Sequence, residues 1–124
     1  MPDRDKIVIK DLLLRGIVGI NDWEREKKQD ILINLVLYTN MEEAGRSDNI
    51  EDCVNYRSVT KQIIEYVESS QHYTVEALAT AIARICIVDH HLPRVNVRVE
   101  KPGALRFARS VGVEIERVPS DFED

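Results

Sequence analysis

The chain has 124 residues, 44% of them hydrophobic and 31% charged. It is therefore sized for one domain, which can bury about two-thirds of its unfolded surface, and it is neither a disordered acidic tail nor a low-complexity segment. Its 17 basic side chains against 22 acidic ones give a net charge of −5, which disfavours gripping a polyanionic nucleic-acid backbone.

The chain opens MPDRDKIVIK, with charges where a signal peptide would need an apolar run. No stretch is apolar for long enough to cross a bilayer, so a soluble, cytoplasmic protein is expected, with no membrane or nucleic-acid partner. From Lys6 to Ile20 the pattern is that of a long strand, bulged near Asp11 where the apolar alternation loses its phase. A polar connection, Asn21 to Lys28, leads to a second strand over Gln29 to Asn40. There Ile31, Ile33, Leu35 and Leu37 share one face, and Leu32, Asn34, Val36 and Tyr38 the other.

Residues 41–55 read as polar turns. Asn55 then caps a helix with Val59, Ile63, Ile64 and Val67 at helical spacing, and Thr74 caps a second after a polar break at 69–73. Val75, Leu78, Ala79, Ile82, Ile85 and Cys86 form one apolar stripe along that second helix. The period then changes to two for Val95, Val97 and Val99, ended by Pro102-Gly103, and again for Val111, Val113 and Ile115. Residues 1–118 are expected to form a single domain and residues 119–124 a frayed tail.

The order β-β-α-α-β-β predicts an α+β fold, a four-stranded antiparallel sheet with two helices on one face. The first two strands are partly apolar on both faces and two sheet edges would stay open. Pairing of those edges between copies, into a ring or barrel, predicts an oligomer.

Chemistry-bearing residues are sparse. Cys53 and Cys86 match no zinc spacing and read as reduced thiols. His72, His90 and His91 lie in or beside loops without metal-ligand spacing, so no metal site is expected and the histidines read as surface loop residues. Neither a phosphate-cradling glycine loop nor a GxSxG motif occurs. Four residues remain, each with an ordinary explanation. Glu24 sits in the wide connection and can be a solvated loop carboxylate. Glu76 complements the dipole at the second helix's first turn. Tyr56 can be a half-buried aromatic with a wet hydroxyl, and Lys101 an edge-protecting charge at a strand end.

Taken together, ordered motifs carry more. Gly19-Ile20-Asn21-Asp22-Trp23-Glu24-Arg25, Gln29, Val54-Asn55-Tyr56, Val75-Glu76-Ala77-Leu78-Ala79, Val99-Glu100-Lys101-Pro102-Gly103-Ala104 and Val111-Gly112-Val113-Glu114-Ile115-Glu116-Arg117 resemble the dihydroneopterin aldolase family from Lys6 to Arg117. That resemblance implies a tunnelling fold, in which four subunits close a β-barrel and two such rings commonly stack, so a homo-oligomer, tetramer or octamer, is expected, with sites between neighbouring subunits. It implies a pterin substrate, no cofactor and no metal. Glu76 would hold the pterin's amino-pyrimidinone edge, Val54 and Tyr56 would come from the adjacent subunit, and Val75 and Asn55 would also bind the substrate. Lys101 would be the acid/base group, Tyr56 its partner acid and Glu24 the residue orienting them. Other stretches, Gln29-Asp30-Ile31-Leu32-Ile33-Asn34, Asn55-Tyr56-Arg57-Ser58-Val59-Thr60-Lys61 and Ala104-Leu105-Arg106-Phe107-Ala108, look more like the related dihydroneopterin triphosphate 2′-epimerase. Aldolase is the first expectation, epimerase the second and a non-catalytic pterin-binding oligomer the third.

Overall fold

A bulge resolves the loss of phase near Asp11. In the computed structural model, which describes residues 3–123, β1 (Asp5–Val18) pairs antiparallel with β2 (Gln29–Thr39). The register slips by one residue between the pairs Ile9–Leu35 and Leu12–Ile33. Ile7 and Ile9 pack on the core before the bulge and Leu12, Leu14 and Val18 after it, so both halves of the strand feed one interior. Asp11 adopts the left-handed conformation, with φ 56°, and its N–H donates to Asn34 Oδ1 at 2.8 Å. The bulge's displaced donor is thereby satisfied.

Ile31, Ile33, Leu35 and Leu37 of β2 are fully buried, as are Val95, Val97 and Val99 of β4 (Arg94–Pro102). β5 (Ser110–Arg117) closes the far edge, with Val113 and Ile115 partly buried. The sheet has five strands rather than four. A two-residue strand, β3 (Gln71–His72), runs parallel to β1 in the order β3-β1-β2-β4-β5. It lies in the segment expected to be a polar break, and two residues are too few to carry a period.

Both long helices cover one face. In α3 (Tyr56–Ser69) Asn55 Oδ1 accepts from Ser58 N at 3.1 Å, and in α4 (Val75–Arg84) Thr74 Oγ1 accepts from Ala77 N at 3.1 Å, so both expected caps are present. α3 buries Val59, Ile63 and Val67; α4 buries Leu78, Ala79, Ile82 and Ala83. The helix then widens into a π-helical turn, Ile85–Asp89, which turns three consecutive apolar residues, Ile85, Cys86 and Ile87, into the core. Burial pushes the Cys86 thiol up to about 12, while Cys53 is an exposed free thiol. A Cβ on Gly16 would stand 2.8 Å from the Val67 carbonyl, so this glycine is what lets α3 lie so close to β1.

Two short helices occupy segments read as connections: α1 (Asp22–Glu26) and α2 (Glu42–Ser47). Each is shorter than two turns and cannot show an amphipathic period. The sheet's other face keeps exposed apolar side chains on β1, Val8 and Leu13, beside ion pairs Arg94–Glu116 at 3.0 Å and Arg98–Glu114 at 2.8 Å. The closing segment is not frayed where it is described. Pro119–Phe122 forms a 3-10 turn and Phe122 packs on the core, with the Arg84 guanidinium 5.8 Å from its ring centroid. Met1, Pro2 and Asp124 lie outside the described residues. No described helix is long and apolar enough to cross a membrane.

Candidate active site

Glu24 is carried by α1, in the connection between β1 and β2, and it is 5% exposed. It is thus no solvated loop carboxylate. Burial of a charge this deep requires several donors, and the surrounding chain supplies four contacts. Asn21 donates its backbone N–H at 3.2 Å and its side-chain amide at 2.8 Å to Oε1; Gln29 Nε2 at 3.3 Å and Lys101 Nζ at 2.6 Å donate to Oε2. The Lys101 ammonium, reinforced by Asn21 and Gln29 against the opposing effect of burial, holds the Glu24 carboxyl down at about 2.

Lys101 reaches Glu24 from the last turn of pairing between β4 and β5, where Lys101 faces Val111 and Pro102 faces Ser110. Its side chain is 15% exposed, so it is no edge-protecting charge. Beside the pair a groove of about 530 Å3 opens between Trp23, Arg15, Gly103 and Leu105. Gly19 makes room for the arrangement: its φ is 150°, and a Cβ there would overlap the Glu24 carboxylate.

Glu76 and Val75 stand at the start of α4, Glu76 exposed and Val75 half-buried against the core. They share the Glu24 end of the sheet. His72, four residues before Glu76, accepts from the Gly19 N–H at 3.2 Å, and β3 lies beside the end of β1 that leads into α1. Val54, Asn55 and Tyr56 are elsewhere. They line a separate hollow of about 450 Å3 with Ile50 and Cys53, which shares no residue with the groove at Lys101. Tyr56 is 50% exposed there. A single chain therefore joins Glu24 to Lys101, sets Glu76 at the same end, and leaves Tyr56 apart.

The histidine reading needs correction. His72 Nε2 lies 2.5 Å from Tyr66 Oη and His90 Nε2 lies 2.8 Å from Gln62 Oε1, so two of the three are tied to α3 rather than solvated. Sequence reasoning also passed over the supporting groups. Asn21, Arg25 and Gln29 entered only as pieces of motifs, although Asn21 three residues before Glu24 has the spacing of a capping box, which ties that carboxylate to the helix start.

A model of the family described as FolB: Dihydroneopterin aldolase matches residues 7–116. The chain belongs to the dihydroneopterin aldolase family. It is 48% identical over 119 residues to the folic acid synthesis protein FOL1 of Dictyostelium discoideum, a match that covers 96% of this chain but 18% of that protein's length. It is 37% identical over 109 residues to the dihydroneopterin triphosphate 2′-epimerase of Escherichia coli, covering 88% of this chain and 91% of that one. It superposes on the crystal structure of Escherichia coli dihydroneopterin aldolase in complex with neopterin with a TM-score of 0.88. That alignment has 29% identity and covers 91% of this chain and 98% of the other. The fold expected of the protomer, the tunnelling fold, is the one it has.

Proposed function

We propose that this chain is a dihydroneopterin aldolase unit that cleaves the C1′–C2′ bond of 7,8-dihydroneopterin in folate biosynthesis. The observation that carries the reading is the buried pair Lys101–Glu24 at 2.6 Å beside an open groove, on the same end of the sheet as Glu76.

The chemistry assigns each group a task. Glu76 offers two acceptor oxygens to the ring N–H and exocyclic amine of the pterin, with Val75 flanking it. Lys101, once its ammonium has released a proton to solvent, takes the 2′-hydroxyl proton as the neutral amine. The C1′–C2′ bond then breaks, glycolaldehyde leaves, and the electron pair passes into the ring C=N as an enamine. Because the substrate brings its own electron sink, neither a lysine Schiff base nor a metal is required. Tyr56 returns a proton to C1′, giving 6-hydroxymethyl-7,8-dihydropterin. A carboxylate held at about 2 is a poor base, so Glu24 orients the amine and the substrate hydroxyls rather than abstracting the proton.

Tyr56 must then reach the site from a neighbouring copy, with Val54 and Asn55. The open edges at β3 and β5, the apolar Val8 and Leu13 on the uncovered sheet face, and the exposed Ile50 and Phe107 support assembly into a barrel-forming tetramer or a stacked octamer. Cytoplasmic location and free thiols complete the proposal.

Epimerisation at C2′ is the second reading, favoured by a specific number: 37% identity to the Escherichia coli epimerase against 29% to the aldolase of the same species. Re-addition of glycolaldehyde to the other face uses the same groups. Incubation with 7,8-dihydroneopterin and with its triphosphate, followed by chromatography, tests both. Release of glycolaldehyde and 6-hydroxymethyl-7,8-dihydropterin supports the first, a 2′-epimer without cleavage the second. Binding of pterin with neither product would leave only a non-catalytic pterin-binding oligomer.

A further inference from the structure

Arg25 follows Glu24 on a helix of five residues, too short to be stable through its own hydrogen bonds. Its guanidinium supplies what the helix lacks. Nη1 donates to the carbonyls of Gly19 at 3.2 Å and His72 at 3.0 Å, and Nη2 donates to the carbonyl of Gln71 at 2.5 Å. The Tyr73 ring covers the group, 4.0 Å from the guanidinium carbon to the ring centroid. No carboxylate among the described residues lies within ion-pair distance of Arg25. Its N–H groups are spent on backbone carbonyls from two separate segments, the exit of β1 and the whole of β3.

That pattern is mechanical rather than electrostatic. The segments it joins are the one that carries Glu24 and the one that runs straight into Thr74 and Glu76. α4 is held independently, by its Thr74 cap and its buried stripe, whereas α1 has no stripe of its own and buries only Glu24. Resting on the active-site reading above, we infer that Arg25 is a positioning residue: it fastens α1 to the β3–α4 corner and so fixes the Glu24–Lys101 pair at one separation from the pterin-holding carboxylate. Lysine cannot substitute, because a single ammonium lacks the planar fork that serves three carbonyls and stacks on Tyr73 at once.

The test uses the full chain with Arg25→Lys, Tyr73→Leu, Glu24→Gln and the Arg25→Lys/Glu24→Gln double variant, after circular dichroism has verified each fold. In Arg25→Lys the kcat for dihydroneopterin is expected to fall at least about tenfold while the Kd of 6-hydroxymethylpterin stays within about threefold. The same change is expected to add nothing in the Glu24→Gln background. Tyr73→Leu should give a smaller fall in the same direction. A kcat within about twofold of wild type in both Arg25→Lys and Tyr73→Leu, or losses that add fully to those of Glu24→Gln, overturns the inference. A second readout is independent of turnover: 13C NMR titration of the Glu24 carboxyl, whose midpoint is expected to rise by about one pH unit in Arg25→Lys as the contact with Lys101 loosens. An unmoved midpoint also overturns it. A wild-type chain that turns over no dihydropterin refutes the aldolase reading instead, and the titration then still decides the clamp.

Discussion

Gly19 and Glu24 occupy one volume. With φ at 150°, Gly19 leaves open the space that the Glu24 carboxylate fills, and any side chain there would overlap it. Gly19→Ala should therefore act twice: the backbone strain costs about 1–3 kcal/mol of stability, and the carboxylate is driven off Lys101. Urea denaturation would show the first effect and steady-state kinetics the second, with kcat falling more than about tenfold, as expected when an orienting group is displaced. An alanine variant as stable and as fast as wild type would mean that the carboxylate has somewhere else to sit.

On the proposed mechanism, Lys101→Ala removes the group that moves the proton and leaves the pterin-holding edge at Glu76 untouched. Turnover should fall by roughly 10²–10⁴-fold while the Kd of 6-hydroxymethylpterin changes little. If the variant kept its turnover and lost affinity, the acid/base assignment would be wrong.

Glu76→Ala should behave in the opposite way. The residue is exposed in the free chain, so its loss leaves thermal stability nearly unchanged. The bound pterin, however, would keep two donors without acceptors, which costs about 1–3 kcal/mol. Isothermal titration with 6-hydroxymethylpterin should record a Kd raised about tenfold to a hundredfold, and an unchanged Kd would remove Glu76 from the recognition edge.

The same pair sets an acid limb to stability. The Glu24 carboxyl titrates near 2 in the folded chain and at its ordinary 4.5 when unfolded. A depressed carboxylate contributes stability that is fully present above the unfolded value and is lost as pH falls toward the folded one. Wild type should thus lose stability between about pH 5 and pH 2, a window that follows from these two values. Glu24→Gln, which has no proton to take up there, should be less stable at pH 7 and show a flatter slope across that window. Parallel slopes in denaturation curves at pH 6, 4 and 3 would contradict the ion pair.

The elements that carry a period were legible from residues alone. Alternation in Ile31 to Leu37 and in Val95 to Val99, helical spacing after Asn55 and Thr74, and the phase slip at Asp11 each correspond to a feature of the fold. α1 and β3 were not legible, because five residues and two residues are too short for a pattern. Yet these two elements build the site. Nor does spacing reveal that Glu24 and Lys101, 77 residues apart, meet; each alone reads as an ordinary surface charge. The pairing was foreseen only through motifs shared with a family, whereas the clamp at Arg25 depends on backbone carbonyls, which leave no trace in side-chain pattern.

Tyr56 decides whether the site is shared. Within one chain it lines a hollow separate from the groove at Lys101, so Tyr56→Phe and Lys101→Ala chains should each be nearly inactive when pure. Co-expressed, they can form mixed assemblies in which a Lys101 from one chain faces a Tyr56 from the other. Random assortment around a closed ring would restore about a quarter of the sites, since half the positions carry each intact group. Activity should therefore return to roughly that fraction of wild type in the mixed preparation. If mixing restores nothing while light scattering shows mixed oligomers, Tyr56 and Lys101 do not serve one site.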